Sequence, residues 1–136
     1  MLLWLAASLL GCGTGGPEIV PIEGTVTHNG EPVSNVRIYF APIDGRPSWA
    51  VSDDKGHFVL DYDVDHDGAK VGTHKVWVQD EGGNIDPTAA MSGTAAPRVK
   101  RSPAMAVAID KYGKDKTPLT AVEVKKADRN YQLKLD

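Results

Sequence analysis

The stretch "EGTVTHNGEPVSNVRIYFAP", residues 23–42, decides the fold. Read with the preceding "VPI", its apolar residues Val20, Ile22 and Val26 share one face, and Glu23, Thr25 and Thr27 share the other. That period of two marks a half-buried strand. Asn29-Gly30 follows, and both residues tolerate positive φ, so the chain turns there. The alternation then resumes, with Val36, Ile38 and Phe40 inward and Arg37 and Tyr39 outward. Strand, turn, strand is the unit from which the rest extends.

Downstream the same pattern repeats. "SWAVS", residues 48–52, reads as a short strand, and Asp53-Asp54-Lys55-Gly56 turns the chain into "HFVLDY", which places Phe58, Leu60 and Tyr62 on one face. "THKVWVQ", residues 73–79, alternates Val76 and Val78 with Lys75 and Trp77. The last two strands fall in "LTAVEVK" and "NYQLKL", where Tyr131, Leu133 and Leu135 alternate. Leu119 is out of phase with Val122 and Val124, which predicts a bulge near Ala121. Short strands bounded by turn residues predict an all-β, antiparallel sandwich. Between residues 80 and 116 the pattern fails, over a length well beyond the usual sandwich connection. This insertion is expected to be partly ordered. "PAMAVAIDKYG" is expected to make a helical turn or two, and residues 85–100 are expected to be mobile.

With 136 residues there is room for one domain with a real core. A formal charge of −3 is too small to steer the protein to nucleic acid. The single cysteine, Cys12, cannot form an internal disulfide. Residues 1–11, "MLLWLAASLLG", carry no charged side chain. As a helix they reach roughly 16 Å at ~1.5 Å per residue, about half of a hydrocarbon core, which suits a secretory signal and not a span. "GTGGP" then breaks any helix, so residues 12–18 read as a flexible tether and 19–136 as the folded domain.

Leu9-Leu10-Gly11-Cys12 resembles the bacterial lipobox, although Leu10 is bulky for its place and no Lys or Arg lies upstream. The resemblance implies cleavage before Cys12, lipidation of its sulfur, including a palmitate-type chain, and three acyl chains in all. One chain holds a protein only marginally and two or more hold it stably, so the domain would sit on a membrane without crossing it. Gly13 directly after the cysteine points to the outer membrane, on its periplasmic face or at the cell surface.

The strands and turns together resemble the carboxypeptidase regulatory-like domain, one of the transthyretin-like (prealbumin-like) seven-stranded sandwiches. Gly24 and Val26 match its G-x-V element, and Gly30 and Pro32 its G-x-P. Ser52, Asp53, Gly56 and Phe58 match T-D-x-x-G-x-F, with Ser for Thr. Gly72, His74 and Val76 match G-x-Y-x-V, with His for Tyr. The tail from "AIDKYGKDKTPLTAVEV" onward is similar to a lipoprotein subgroup of planctomycete-type bacteria. The resemblance implies a non-catalytic module of the envelope, with protein or glycan partners. On residue chemistry, Asp53 and Gly56 read as structural turn residues. Asp53 accepts backbone N–H bonds, and Gly56 adopts a conformation a Cβ opposes.

Asp63-x-Asp65-x-Asp67-Gly68 is the sharpest chemical pattern, matching the first half of an EF-hand loop. The second half fails, because His74 stands where a bidentate Glu is needed. Asp63, Asp65 and Asp67 are therefore candidate ligands for weak calcium at most, with a solvated acidic hairpin as the simpler reading. No other cofactor is expected. His28, His57, His66 and His74 are scattered without zinc-site spacing, and no nucleophile–base pair is legible. The tail also lacks the Y-R-G-S of the 5-hydroxyisourate hydrolases that share the fold. Arg98, Lys100 and Arg101 form a small basic run, expected to be solvated or to touch lipid headgroups or an anionic polymer. Trp49 or Trp77 offers carbohydrate stacking if exposed, though a place in the core or on a sheet face is commoner.

Overall fold

Pro21, Leu60, Gly68 and Val71 each interrupt an extended run by a single residue, and these interruptions shape the architecture. The structure, a computed structural model, describes residues 18–81 and 101–136. In chain order the strands are β1 Ile19–Val20, β2 Ile22–His28, β3 Glu31–Pro32, β4 Val36–Pro42, β5 Ser48–Val51 and β6 His57–Val59. They continue as β7 Asp61–Asp63, β8 His66–Asp67, β9 Ala69–Lys70, β10 Gly72–Asp80, β11 Leu119–Val124 and β12 Asp128–Lys134, with one helix, α1, at Pro103–Lys111. The described residues are all-β apart from that helix.

The larger sheet has the order β11-β10-β4-β5-β7-β8. The smaller has β12-β2-β3, with β6 also on β2, and β1 pairs with β9 separately. The run 57–63 changes sheets at Leu60. Phe58 pairs with Gly24 in the small sheet, whereas Asp61 pairs with Trp49 in the large one. A strand that switches sheets closes a corner of a two-layer sandwich.

The core lies between the two inner faces. Val36, Ile38 and Phe40 of β4 and Val76 and Val78 of β10 meet Ile22 and Val26 of β2, Phe58 and Leu60, and Leu133 and Leu135. The predicted alternation of the 36–40 run therefore holds, with Arg37 and Tyr39 on the outer face. The Asn29-Gly30 turn has φ of 48° and 84°, the doubly positive geometry of a two-residue hairpin linking β2 to β3. The bulge predicted near Ala121 is present. Ala121 has φ 57°, and the β10–β11 register shifts between His74 and Val76.

One feature departs from expectation. The sandwich is not wholly antiparallel, because β12 runs parallel to β2. Chain entering β12 comes from β11 in the opposite sheet, so its direction is set by a crossing between layers and not by a hairpin. The helix α1, nine residues long, lies in the segment expected to make a turn or two of helix. Ser102 caps it by accepting the Met105 amide proton, and Pro103 follows at its first turn. The helix buries Met105, Ala108 and Ile109. Beyond Val76, where β11 stops pairing, the Tyr112 carbonyl accepts the Val78 N–H at 3.0 Å, so the helix end covers that edge of β10.

Candidate functional site

The turn residues Asp53 and Gly56 lie against the small sheet, whereas Gly72, His74 and Val76 lie on β10 of the large one. Asp53 Oδ1 accepts the backbone N–H groups of Lys55 and His57, each at 2.9 Å. Those bonds, the Lys55 amide first, hold its carboxyl below the ordinary value of 3.8. Gly56 has φ 74° and faces the β2 backbone, with Pro32 beside it. Gly24 lies so close to the Tyr131 carbonyl that a side chain would collide with it. Ser52 Oγ is buried and accepts the Val36 N–H at 3.1 Å.

The acidic hairpin does something similar. Asp63 Oδ1 accepts the Asp65 N–H at 2.9 Å and His66 Nδ1 at 2.8 Å, and the amide of Asp65 leads in lowering its pKa. Asp65 and Asp67 are exposed. Among the described residues, no three His, Cys, Asp or Glu side chains are grouped as a metal would need them. The histidines serve separate places. His28 donates to Leu135 O at 2.8 Å, whereas His57 is exposed beside Asp53. His74 is fully buried, donates from Nε2 to Lys70 O at 2.6 Å and lies against Phe40.

Arg101 corrects the expectation of a solvated basic run. Its side chain is 5% exposed, and Nη2 donates to the carbonyls of Ser34 at 2.6 Å and Asn35 at 3.1 Å. Nε and Nη2 also reach the two carboxylate oxygens of Asp80, at 3.2 and 3.1 Å. That fork–fork pair ties the start of the helical segment to the end of β10, and the two carbonyl bonds tie it to the β3–β4 connection. Arg98, Lys100 and residues 85–97 lie outside the described residues, as do Cys12 and the whole of 1–17.

The outer face of the large sheet borders a groove. Tyr39 of β4 faces Trp49 of β5 on one side and Trp77 of β10 on the other, so three aromatics stand in register across adjacent strands. Tyr39 and Trp77 stack at 5.1 Å between centroids with 19° between planes. Arg37 lies over Trp49 at 4.9 Å, and the ammonium groups of Lys75 and Lys114 lie 5.8 and 5.6 Å from the Trp77 ring. Between Tyr39 and Trp77 on one wall and α1 with the 113–116 turn on the other runs an open groove of about 730 Å³. The alternation placed Tyr39 and Trp77 outward; the second wall was hidden, because the groove needs α1 folded back against β10. Among the described residues no helix is long and apolar enough to cross a membrane.

Compared with known proteins, the chain matches no family model, no curated protein and no solved structure.

Proposed function

We propose that this chain is a lipid-anchored, non-catalytic protein of the cell envelope, tethered through Cys12 and using a transthyretin-like domain of the carboxypeptidase regulatory-like kind for interaction and scaffolding. The observation that carries the reading is what the motif residues do. Gly24 and Gly56 lie against neighbouring backbone, and Ser52 and Asp53 bond backbone N–H groups, which is the work of fold determinants and not of a reaction centre. The strand pattern supports the same class. The described strands form layered, mostly antiparallel sheets. Engaged polar groups support the non-catalytic reading, since His28, Asp53 and Asp63 are each bonded to backbone partners.

Anchoring is tested by fractionating cells that express the full chain or its Cys12→Ala variant. The native chain is expected in the membrane pellet and the variant in the soluble fraction. Equal membrane retention of both would overturn the anchor.

A further inference from the structure

We infer that the end of the sandwich where the chain enters lies on the bilayer, with the loop tips Ile43 and Val64 inserted among zwitterionic headgroups. This docking rests on the reading of Cys12 as the anchor and adds to it which end of the domain meets lipid.

The chain enters the fold beside the start of β10. The Glu18 carbonyl accepts the Val71 N–H at 2.9 Å, and Ile19 pairs with Lys70. Glu18 lies six residues after Cys12, a span of at most about 20 Å when fully extended. A lipidated Cys12 therefore keeps this end of the sandwich close to the membrane.

Two loop tips share that end. The Ile43 N–H donates to the Thr73 carbonyl at 3.2 Å, and Lys70 Nζ donates to the Asp44 carbonyl at 2.8 Å, so the β4–β5 loop stands beside the entering chain. β7 runs antiparallel to β5, which carries the β7–β8 hairpin towards the same end and sets Val64 in its turn. Ile43 is 85% exposed and Val64 100%, the two most exposed large hydrophobic residues among those described. Single apolar residues scattered over a surface need no explanation. Here the two of greatest exposure fall at the tips of separate loops, on the end that the anchor holds near lipid. Val107, next at 69%, lies on α1, whose flanking residues Tyr112 and Arg101 bond to Val78 and Asp80 at the other end of β10.

The polar neighbours select the lipid. Asp44 follows Ile43, and Asp63 and Asp65 flank Val64, while Arg46 and Lys70 are the cations beside them. Further round this end Lys125 and Lys126 stand with Glu18, Glu123 and Asp128, so cations do not predominate. An anionic surface would repel the carboxylates next to both tips, whereas the outward ammonium groups of zwitterionic headgroups meet them. Removing two branched side chains from water needs no net charge. The acyl chains hold the protein, and the tips set its posture, with α1 and the Asn29-Gly30 hairpin turned away from lipid.

The test attaches a nitroxide in turn at Ile43→Cys, Val64→Cys and Val107→Cys in the full chain, whose own cysteine is blocked by lipidation. The chains are reconstituted in phosphatidylcholine vesicles, and collisions with oxygen and with a nickel chelate are read by electron paramagnetic resonance. Nickel collisions at positions 43 and 64 are expected several-fold below those at 107, with oxygen collisions higher, at low and high salt alike. Adding Val64→Asp should raise nickel collisions at position 43 several-fold while flotation with the vesicles is unchanged. Positions 43 and 64 as open to nickel as 107, on a chain that floats, would overturn the docking and leave the anchor standing. So would protection at 43 that ignores Val64→Asp. Protection that vanishes as the protein is diluted in lipid would mark contact between copies and overturn the docking too. A chain that does not float overturns the anchor, and the docking falls with it.

Discussion

The Val26 N–H donates to the Gly56 carbonyl at 2.8 Å, while the Val26 carbonyl lies 2.6 Å from where a Cβ on Gly56 would stand. The turn that begins at Asp53 is thus pressed directly onto the central strand of the small sheet. Gly56→Ala has to bear both this contact and a left-handed backbone. It should lose about 2 kcal/mol or more, lowering Tm by roughly 10 °C. Thermal denaturation followed by circular dichroism checks it.

Ala121 is the opposite case. It holds φ 57° without the freedom of glycine, at the bulge where β11 leaves register with β10. Ala121→Gly removes the Cβ penalty of the left-handed conformation and is expected to stabilise the chain by up to about 1 kcal/mol, even though glycine makes the unfolded chain more mobile. Urea denaturation should show a higher midpoint with an unchanged slope.

Acid should weaken the fold partly through Asp53. Backbone N–H bonds from Lys55 and then His57 lower its pKa below 3.8 in the folded state, so the ionised form is the one that folding favours. Its stabilisation is in place above that ordinary value and disappears as pH falls through the lowered one. Asp63 behaves alike, led by its bond from the Asp65 amide. Replacing both with Asn should flatten the fall in stability at acid pH relative to the native chain. Carboxyl titration by NMR should give midpoints below 3.8 for both residues.

Arg101 fastens the helical segment to the sandwich. Arg101→Met removes the bonds to Ser34, Asn35 and Asp80 and should cost about 2–3 kcal/mol. Loss of protection should be largest in α1, whose far end covers the edge of β10, and hydrogen exchange reads that directly.

What was legible in the sequence was local. Period-two alternation at 36–40, the Asn29-Gly30 hairpin and the phase slip before Val122 all depend on a few neighbouring residues, and each appears in the structure as expected. What was hidden depends on distant contacts. The parallel course of β12 follows from a crossing between layers, and no short-range pattern encodes it. The switch of sheets at Leu60 leaves the alternation intact, so nothing in "HFVLDY" announces it. Arg101 read as one more solvated cation because its partners, Ser34 and Asn35, lie 67 and 66 positions away. The candidate site divides in the same way. Trp49, Tyr39 and Trp77 were each readable as outward aromatics or near them, but their alignment required the strand order β5-β4-β10.

The central claim, a β-rich module held at a membrane through its cysteine, is tested most directly by mass spectrometry of the native protein's amino-terminal peptide. The account predicts a peptide that begins at Cys12 and carries the added mass of a diacylglyceryl group and a further acyl chain. A peptide that retains Met1 and a free Cys12 thiol would contradict it.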